Sequence, residues 1–231
     1  MLVDHPIPIA EQTTTFSPQL RESGEPLIAL STLSEKIKVY PYYFKQGHSG
    51  AKEEAFLRTG AAQLLKKAAE QLPEGHFFVV LDGWRPFQVQ QSLYERFKQS
   101  LLEQGLSAGE ELERELCKFV AKPTQDIRRP APHLSGGAID LTIATADSWL
   151  DMGTAFDDFS ERAATCYFET LPVHTPATLQ IRENRRMLYH LMVEAGFVNY
   201  AAEWWHYEFG TLSWAQKKRA EAIYGGVLEV C

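Results

Sequence analysis

Cysteine is scarce in this chain: Cys117, Cys166 and Cys231 are the full set, and no two lie at a short paired spacing. An odd, sparse set of this kind excludes a disulfide framework and suits a reducing compartment. Long apolar runs are missing as well. No stretch nears the roughly 18 continuous apolar residues that a membrane helix needs. The opening residues, MLVDHPIPIAEQ, lack a basic segment followed by a long apolar one, so no secretory signal is recognisable. The expectation is a cytoplasmic protein with no membrane association.

Positive charge is also in deficit. The formal net charge is −7 and the isoelectric point is near 5.5, which argues against a broad nucleic-acid footprint. Short basic clusters at Arg128-Arg129 and at Arg182, Arg185 and Arg186 have acidic neighbours and read as solvated surface. Small ligands or peptides are the expected partners, and the oligomeric state is left open. No internal repeat and no Gly-x-Ser-x-Gly elbow is present. Cys117 falls on an apolar helix face, where a buried small hydrophobe is expected. A serine or cysteine hydrolase therefore finds no support.

What is present is an ordinary globular balance, 45% apolar and 23% charged, with five Trp, nine Tyr and thirteen Phe. A chain of 231 residues fits one domain, 1–231, with a core that needs no staple. Any metal is then free for catalysis. The run 37–44 is β-branched and aromatic and is broken by Pro41, so it predicts an edge strand. Apolar residues at helical spacing predict a helix over 51–72, stopped by Pro73-Glu-Gly75. Phe77–Leu81 reads as a buried strand, ending at Asp82-Gly-Trp-Arg85, where Pro86 opens a second helix. A further helix is predicted over about 108–121, ahead of an irregular Pro-rich loop that ends at His133. Ala138–Ile143 alternates clearly, with Asp140 opposite Ile139, Leu141 and Ile143. The stretch 151–175 predicts mostly loop with a short helix. Thr175-Pro176 then opens a helix that Gly196 stops. Paired strands over 197–209 and a last helix near 213–224 complete an α+β chain.

Two segments hold the chemistry, His133-Leu-Ser-Gly-Gly-Ala-Ile-Asp140 and Glu203-Trp-Trp-His206. Together they supply two imidazoles and two carboxylates, the inventory of a catalytic zinc site with an open position for water. Each residue has a plain structural reading when taken alone. Asp140 reads as a hydrogen-bonded strand aspartate, and His133 as an exposed loop histidine. The pairing of the two segments is what points to a metal. Glu203 and His206 are three apart, so on a regular strand they would face opposite ways. If both serve one site, Glu203 must precede the strand or sit on a bulge. At least one of Trp204 and Trp205 reads as packing. Arg85, at a strand-to-helix junction with Asp82 three residues earlier, is either aimed at a cleft or a helix-start ion pair of small worth.

These motifs, in this order, resemble the D-alanyl-D-alanine dipeptidases, including those of vancomycin resistance, within the wider zinc D,D-peptidase group. The family pattern Ser-x-His-x-x-Gly-x-Ala-x-Asp is met by Ala131-Pro-His133-Leu-Ser-Gly136-Gly-Ala138-Ile-Asp140. Glu-x-x-His is Glu203-Trp-Trp-His206, and Asp-x-x-Arg-Pro is Asp82-Gly-Trp-Arg85-Pro86. Met152-Gly-Thr-Ala-Phe156-Asp157 and Asn184-Arg-Arg186 complete the set. The resemblance spans roughly 37–209 and implies one zinc ion held by His133, Asp140 and His206. It further implies Glu203 as general base, Arg85 at the developing oxyanion, and Asp157 facing the substrate ammonium, with Asp82 behind Arg85 on the substrate side. The implied fold is α+β, with a central, mainly antiparallel sheet flanked by helices and the zinc in its cleft. The one departure is Ala131, where the family has a serine thought to help hold the substrate carboxylate; Ser135 is the nearby hydroxyl that could stand in. The implied activity is hydrolysis of small D-amino-acid dipeptides. The alternatives are a murein D,D- or L,D-carboxypeptidase and a non-catalytic zinc-binding recognition domain.

Overall fold

A computed structural model describes residues 4–9 and 15–230; Cys231 and part of the opening segment lie outside the described residues. The elements run β1 (Leu27–Ala29), β2 (Ile37–Val39), α1 (Tyr42–Lys45), β3 (Phe56–Arg58), α2 (Thr59–Glu70), β4 (Phe77–Asp82), α3 (Phe87–Glu103) and α4 (Glu110–Phe119). They continue as β5 (Ala138–Ala144), α5 (Pro176–Glu194), β6 (Val198–Asn199), β7 (His206–Glu208) and α6 (Leu212–Lys218). A five-stranded sheet has the order β2-β4-β5-β7-β6, and β1 pairs with β3 in a separate two-stranded sheet. Only β2 and β4 run parallel in the large sheet; its other pairings are antiparallel. The expected α+β architecture with a mainly antiparallel sheet is what forms. Among the described residues no helix is long and apolar enough to cross a membrane.

All seven residues of β5 are buried, so both faces of the sheet centre are covered. Ile139, Leu141 and Ile143 join α2 (Ala61, Leu65, Ala68) and α5 (Leu188, Leu191, Met192) in the main apolar cluster. Full burial of one such side chain is worth about 1.5–3 kcal/mol, which anchors the strand. The alternation of the strand then sends Asp140 to the other side. A second, smaller cluster of Tyr94, Leu101, Leu112, Leu116 and Val120 holds α3 against α4.

Several sequence expectations shift. The run 37–44 is a strand only to Val39; beyond Pro41, Tyr42–Lys45 forms a helical turn. The helix expected over 51–72 begins at Thr59, because Phe56–Arg58 pairs with the distant Leu27–Ala29. Long-range pairing overrides a local helical pattern there. The last helix ends at Lys218, where Arg219 takes a left-handed conformation. The short helix expected within 151–175 is two 3-10 turns, Glu161–Ala163 and Tyr167–Glu169.

Cys117 is exposed, not buried. Leu112 and Leu116 occupy the inward stripe of α4, and the next residue lies about 100° further round the helix. Arg185 and Arg186 are buried, at 1% and 8% exposure, where a solvated surface was expected. Arg185 donates to the carbonyls of Met152, Arg162 and Ala164 at 2.6–2.7 Å, and Arg186 forks onto Glu169. A buried charge that finds this many acceptors is tolerated. Both tryptophans of the Glu203-Trp-Trp-His206 segment are core.

Candidate metal centre

Strand register assembles the site. Asp140 on β5 lies opposite His206 on β7 and opposite Asp82 at the end of β4, past an irregularity between Val80 and Asp82. Residues directly opposite on neighbouring strands have Cβ atoms about 4.5–5.5 Å apart, so the pairing itself sets the two side chains together. His133 arrives from the 3-10 turn Pro132–Ser135. Gly136, at φ 71, closes that turn in a left-handed conformation that favours glycine.

His133, Asp140 and His206 bring one ligand atom each to within 4.8 Å of one another, and all three are buried. His133 Nε2 is 3.2 Å from His206 Nδ1 and 3.3 Å from Asp140 Oδ2. His206 Nδ1 is 2.9 Å from Asp140 Oδ1. A tetrahedral ion with nitrogen and oxygen ligands at 2.0–2.1 Å would hold those ligands about 3.3 Å apart. The three donors therefore already outline one face of such a coordination sphere.

The far sides of the rings agree. His133 Nδ1 donates to the Gly83 carbonyl at 2.7 Å, which leaves its Nε2 lone pair facing the cluster. Glycine at 83 lets the chain after β4 pass close to β3, because a Cβ there would stand 2.5 Å from the Phe56 carbonyl. His206 Nε2 lies 3.2 Å from Glu208 Oε1, which leaves Nδ1 facing the cluster. Glu208 is held in turn by the Thr211 hydroxyl. Outer partners of this kind orient metal-binding imidazoles and raise their basicity.

The electrostatics favour a cation. Burial works against a charged Asp140, yet charge and hydrogen bonds from His133 and His206 hold its carboxyl well below the usual carboxylate range. Burial likewise opposes a charged His206, but its hydrogen bonds to the Asp140 and Glu208 carboxylates outweigh it and raise its pKa to about 10. The donor set and its surroundings fit a divalent ion such as zinc.

Glu203 lies in the loop before β7, its N–H donating to the Tyr200 carbonyl at 3.0 Å, so strand alternation does not govern its direction relative to His206. Its Oε2 lies 3.9 Å from His206 Nδ1, and burial pushes its pKa up to about 8 against the opposing pull of His206. Arg85 is saturated on one side, with Nε on Asp82 (2.7 Å) and Nη1 on Gln90 (2.8 Å). Its Nη2 reaches Tyr43 Oη (3.3 Å) and Asp140 Oδ2 (3.2 Å). A guanidinium has five N–H groups, so one is left to face a ligand. Tyr43 Oη donates to Asp157 at 3.0 Å. Burial pushes the Asp157 carboxyl up to about 7, with Arg85 opposing.

Asp157 takes a positive φ of 60° at the end of the 152–157 loop. Asn184 donates to the Asp151 carbonyl and Arg185 to that of Met152, so α5 anchors this loop.

One cavity of about 960 Å³ is lined by Arg85, His133, Asp140, Asp157, Glu203 and His206 together. Asp82 is not in its lining and stands behind Arg85 and His133, 3.3 Å from His133 Nδ1. Ser135 is fully buried and committed to its own turn, with its hydroxyl on the Pro132 carbonyl at 2.6 Å. Tyr43, Gln90 and Glu208 escaped the sequence reading, which named Asn184 and Arg185 as part of a motif without their anchoring role. Glu208 alone had a local signal, since it shares a strand face with His206 two residues earlier.

The profile described as D-Ala-D-Ala dipeptidase matches residues 53–220. The chain belongs to this family. Among its relatives is the D-alanyl-D-alanine dipeptidase of Synechocystis sp., 27% identical over 213 residues, or 85% of this chain and 86% of the relative. That of Enterococcus faecium is 28% identical over 160 residues, 64% and 69% of the two chains. That of Escherichia coli is 38% identical over 84 residues, 36% and 40%. Among solved structures, the vancomycin-resistance D,D-pentapeptidase VanY with Zn(II) aligns at TM-score 0.43 and 17% identity, covering 72% of this chain and 79% of that one. The D,D-dipeptidase VanXYg with a D-Ala-D-Ala phosphinate analogue aligns at 0.39 and 19%, covering 73% and 57%.

Proposed function

We propose that this chain hydrolyses D-alanyl-D-alanine or a similar D-amino-acid dipeptide, with His133, Asp140 and His206 holding one zinc ion. The observation that carries this reading is the three-donor cluster, with donor separations of 2.9–3.3 Å, set beside the buried Glu203 in a chain of this family. Zinc bound there supplies Lewis acidity, which lowers the pKa of water toward 7 and polarises a carbonyl.

The chain's own residues do the rest. Glu203 takes the proton of the attacking water and hands it to the leaving amine; a buried carboxylate with a raised pKa suits both steps. The remaining N–H of Arg85 faces the carbonyl oxygen as it becomes anionic, and Asp82 and Gln90 hold the guanidinium still. Asp157 receives the free ammonium of the substrate, and Tyr43 orients its carboxylate. A buried carboxylate is costly unless paired, so the site favours a peptide with a free amino end. The acidic chain and the concave site favour a small peptide over nucleic acid or a membrane surface.

A second reading is a D,D-carboxypeptidase acting on longer cell-wall peptides. It rests on the cavity of about 960 Å³, which is large for a dipeptide of about eleven non-hydrogen atoms. The deciding experiment follows D-alanine release from D-Ala-D-Ala by the zinc-loaded chain, with Glu203→Gln as control. Release by the parent and none by the variant supports the dipeptidase. Zinc binding without release, together with cleavage of N-blocked longer peptides, moves the assignment to the carboxypeptidase.

A further inference from the structure

Two stretches outside the family-matched residues meet on the loop that carries His133. Residues 222–228 pass across it, and residues 20–25 lie against them, with Leu20 bridging to Ala222. The main chain of Val227 makes one hydrogen bond to each wall of the site. Its N–H donates to the carbonyl of Leu134, the neighbour of His133, at 2.9 Å. Its carbonyl accepts from Trp84 Nε1, on the neighbour of Arg85, at 2.8 Å. The adjoining Gly226 N–H donates to the Ile127 carbonyl at 2.8 Å, and the Gly225 N–H donates to Glu22.

Arg58 fastens this strap from beneath. It is 6% exposed, yet its guanidinium reaches the Ser135 carbonyl (2.9 Å), the Gly225 carbonyl (3.0 Å) and the Glu25 carbonyl, and it pairs with Glu22 at 3.3 Å. Glu25 also accepts from the Tyr224 hydroxyl at 2.8 Å. One buried cation thus ties the metal-ligand loop to both outlying stretches, and removing any one acceptor would leave buried polar groups unpaired.

We propose that segment 222–228, fastened by Arg58, is a positioning device for the metal site. It holds the His133 loop at a set distance from the Arg85 loop and so sets how tightly the ion is held. This rests on the ligand reading above. Direct links between the two loops converge on His133: its Nδ1 to the Gly83 carbonyl and, at 3.3 Å, to Asp82, and the Arg85 N–H to its carbonyl at 3.2 Å. The strap braces those links from the side away from the ion. Val227, Trp84 and Arg58 act through His133 and are not catalytic residues.

The test measures the zinc dissociation constant by competition with a chelator, well below the melting temperature. The variants are Val227→Pro, which removes the N–H donor while also fixing φ there and restricting Gly226, and Trp84→Phe, which removes the donor to the Val227 carbonyl. Loss of outer-shell support typically weakens metal binding about 10- to 100-fold. Each variant should fall in that range, the pair together should weaken zinc by less than the product of the two because they share Val227, and Glu229→Ala should leave affinity unchanged. If Val227→Pro does not fold, Trp84→Phe carries the test alone. Parent-like zinc affinity in a folded variant, even with a lowered melting temperature, overturns the proposal and leaves the ligand reading standing. A parent chain that binds no zinc overturns both.

Discussion

Replacing Asp157 with Asn keeps the shape of the side chain and an oxygen to accept from Tyr43, 3.0 Å away, but removes the charge. If Asp157 pairs with the substrate ammonium, the variant leaves that ammonium buried without a partner. Breaking a buried ion pair costs about 3–5 kcal/mol. At about 1.4 kcal/mol per factor of ten, kcat/KM for a free dipeptide should fall by roughly two to three and a half orders of magnitude. The loss should be confined to substrates with a charged amino end. N-acetyl-D-Ala-D-Ala should be cleaved poorly by the parent and should gain relative to the free dipeptide in the variant, because neither partner then carries charge.

The pH profile supplies an independent readout. Burial sets the Asp157 pKa near 7 before substrate arrives, so the parent should lose kcat/KM as pH falls below about 7 and the carboxylate is protonated. Glu203, the proposed base at about 8, titrates in the same limb, so the Asn variant should keep a one-proton slope and lack only the steepening below about 7. The assay is initial-rate D-alanine release across pH 5–9 for both substrates at saturating zinc. Equal losses on free and blocked dipeptides, or an unchanged acid limb, would refute the pairing of Asp157 with the ammonium.

Arg85→Ala should lower kcat by about 100- to 1000-fold, the usual effect of removing one preorganised oxyanion donor; near-parent turnover with bound metal would remove Arg85 from the mechanism. Glu208→Ala should weaken zinc about 10- to 100-fold by freeing His206 to rotate, as read by chelator competition. The metal-free chain should melt at a lower temperature as pH rises from about 5 to 8.5. Asp157, Glu203 and His206 all have raised folded pKa values, so the folded chain keeps protons that the unfolded chain releases, and that stabilisation fades through about 7, 8 and 10. Calorimetry checks this, and a flat profile would mean that these groups are not buried as described. Zinc affinity should rise with pH over the same range, since the ion displaces the His206 proton.

Much of the site was legible because its residues sit where local rules are strict. The strand 138–144 alternates so cleanly that Asp140 had to face away from Ile139 and Leu141, whatever lay beyond. Thr175-Pro176 opens α5 with a capping box, a signal contained in four consecutive residues. Elsewhere local signals misled. Leu57 fits a helical stripe, yet it lies in β3 because Leu27–Ala29 supplies strand partners for Phe56–Arg58 from 27 to 31 positions away. The Arg182–Arg186 cluster looked solvated because charge in sequence carries no record of the carbonyls that a fold can bring to it.

Periodicity, capping and motif spacing are properties of neighbouring residues, so the longer elements, the chemical types of the site residues and the family resemblance could be read locally, while the short β1, α1 and β3 could not. Only the tertiary structure decided that Asp140 stands opposite His206, that Asp82 backs Arg85, and that Tyr43 joins Arg85 to Asp157. It alone decided that residues 222–228 brace the His133 loop. Those relations depend on strand register and on contacts between distant segments, and the free energy that selects them comes from burying the whole core at once.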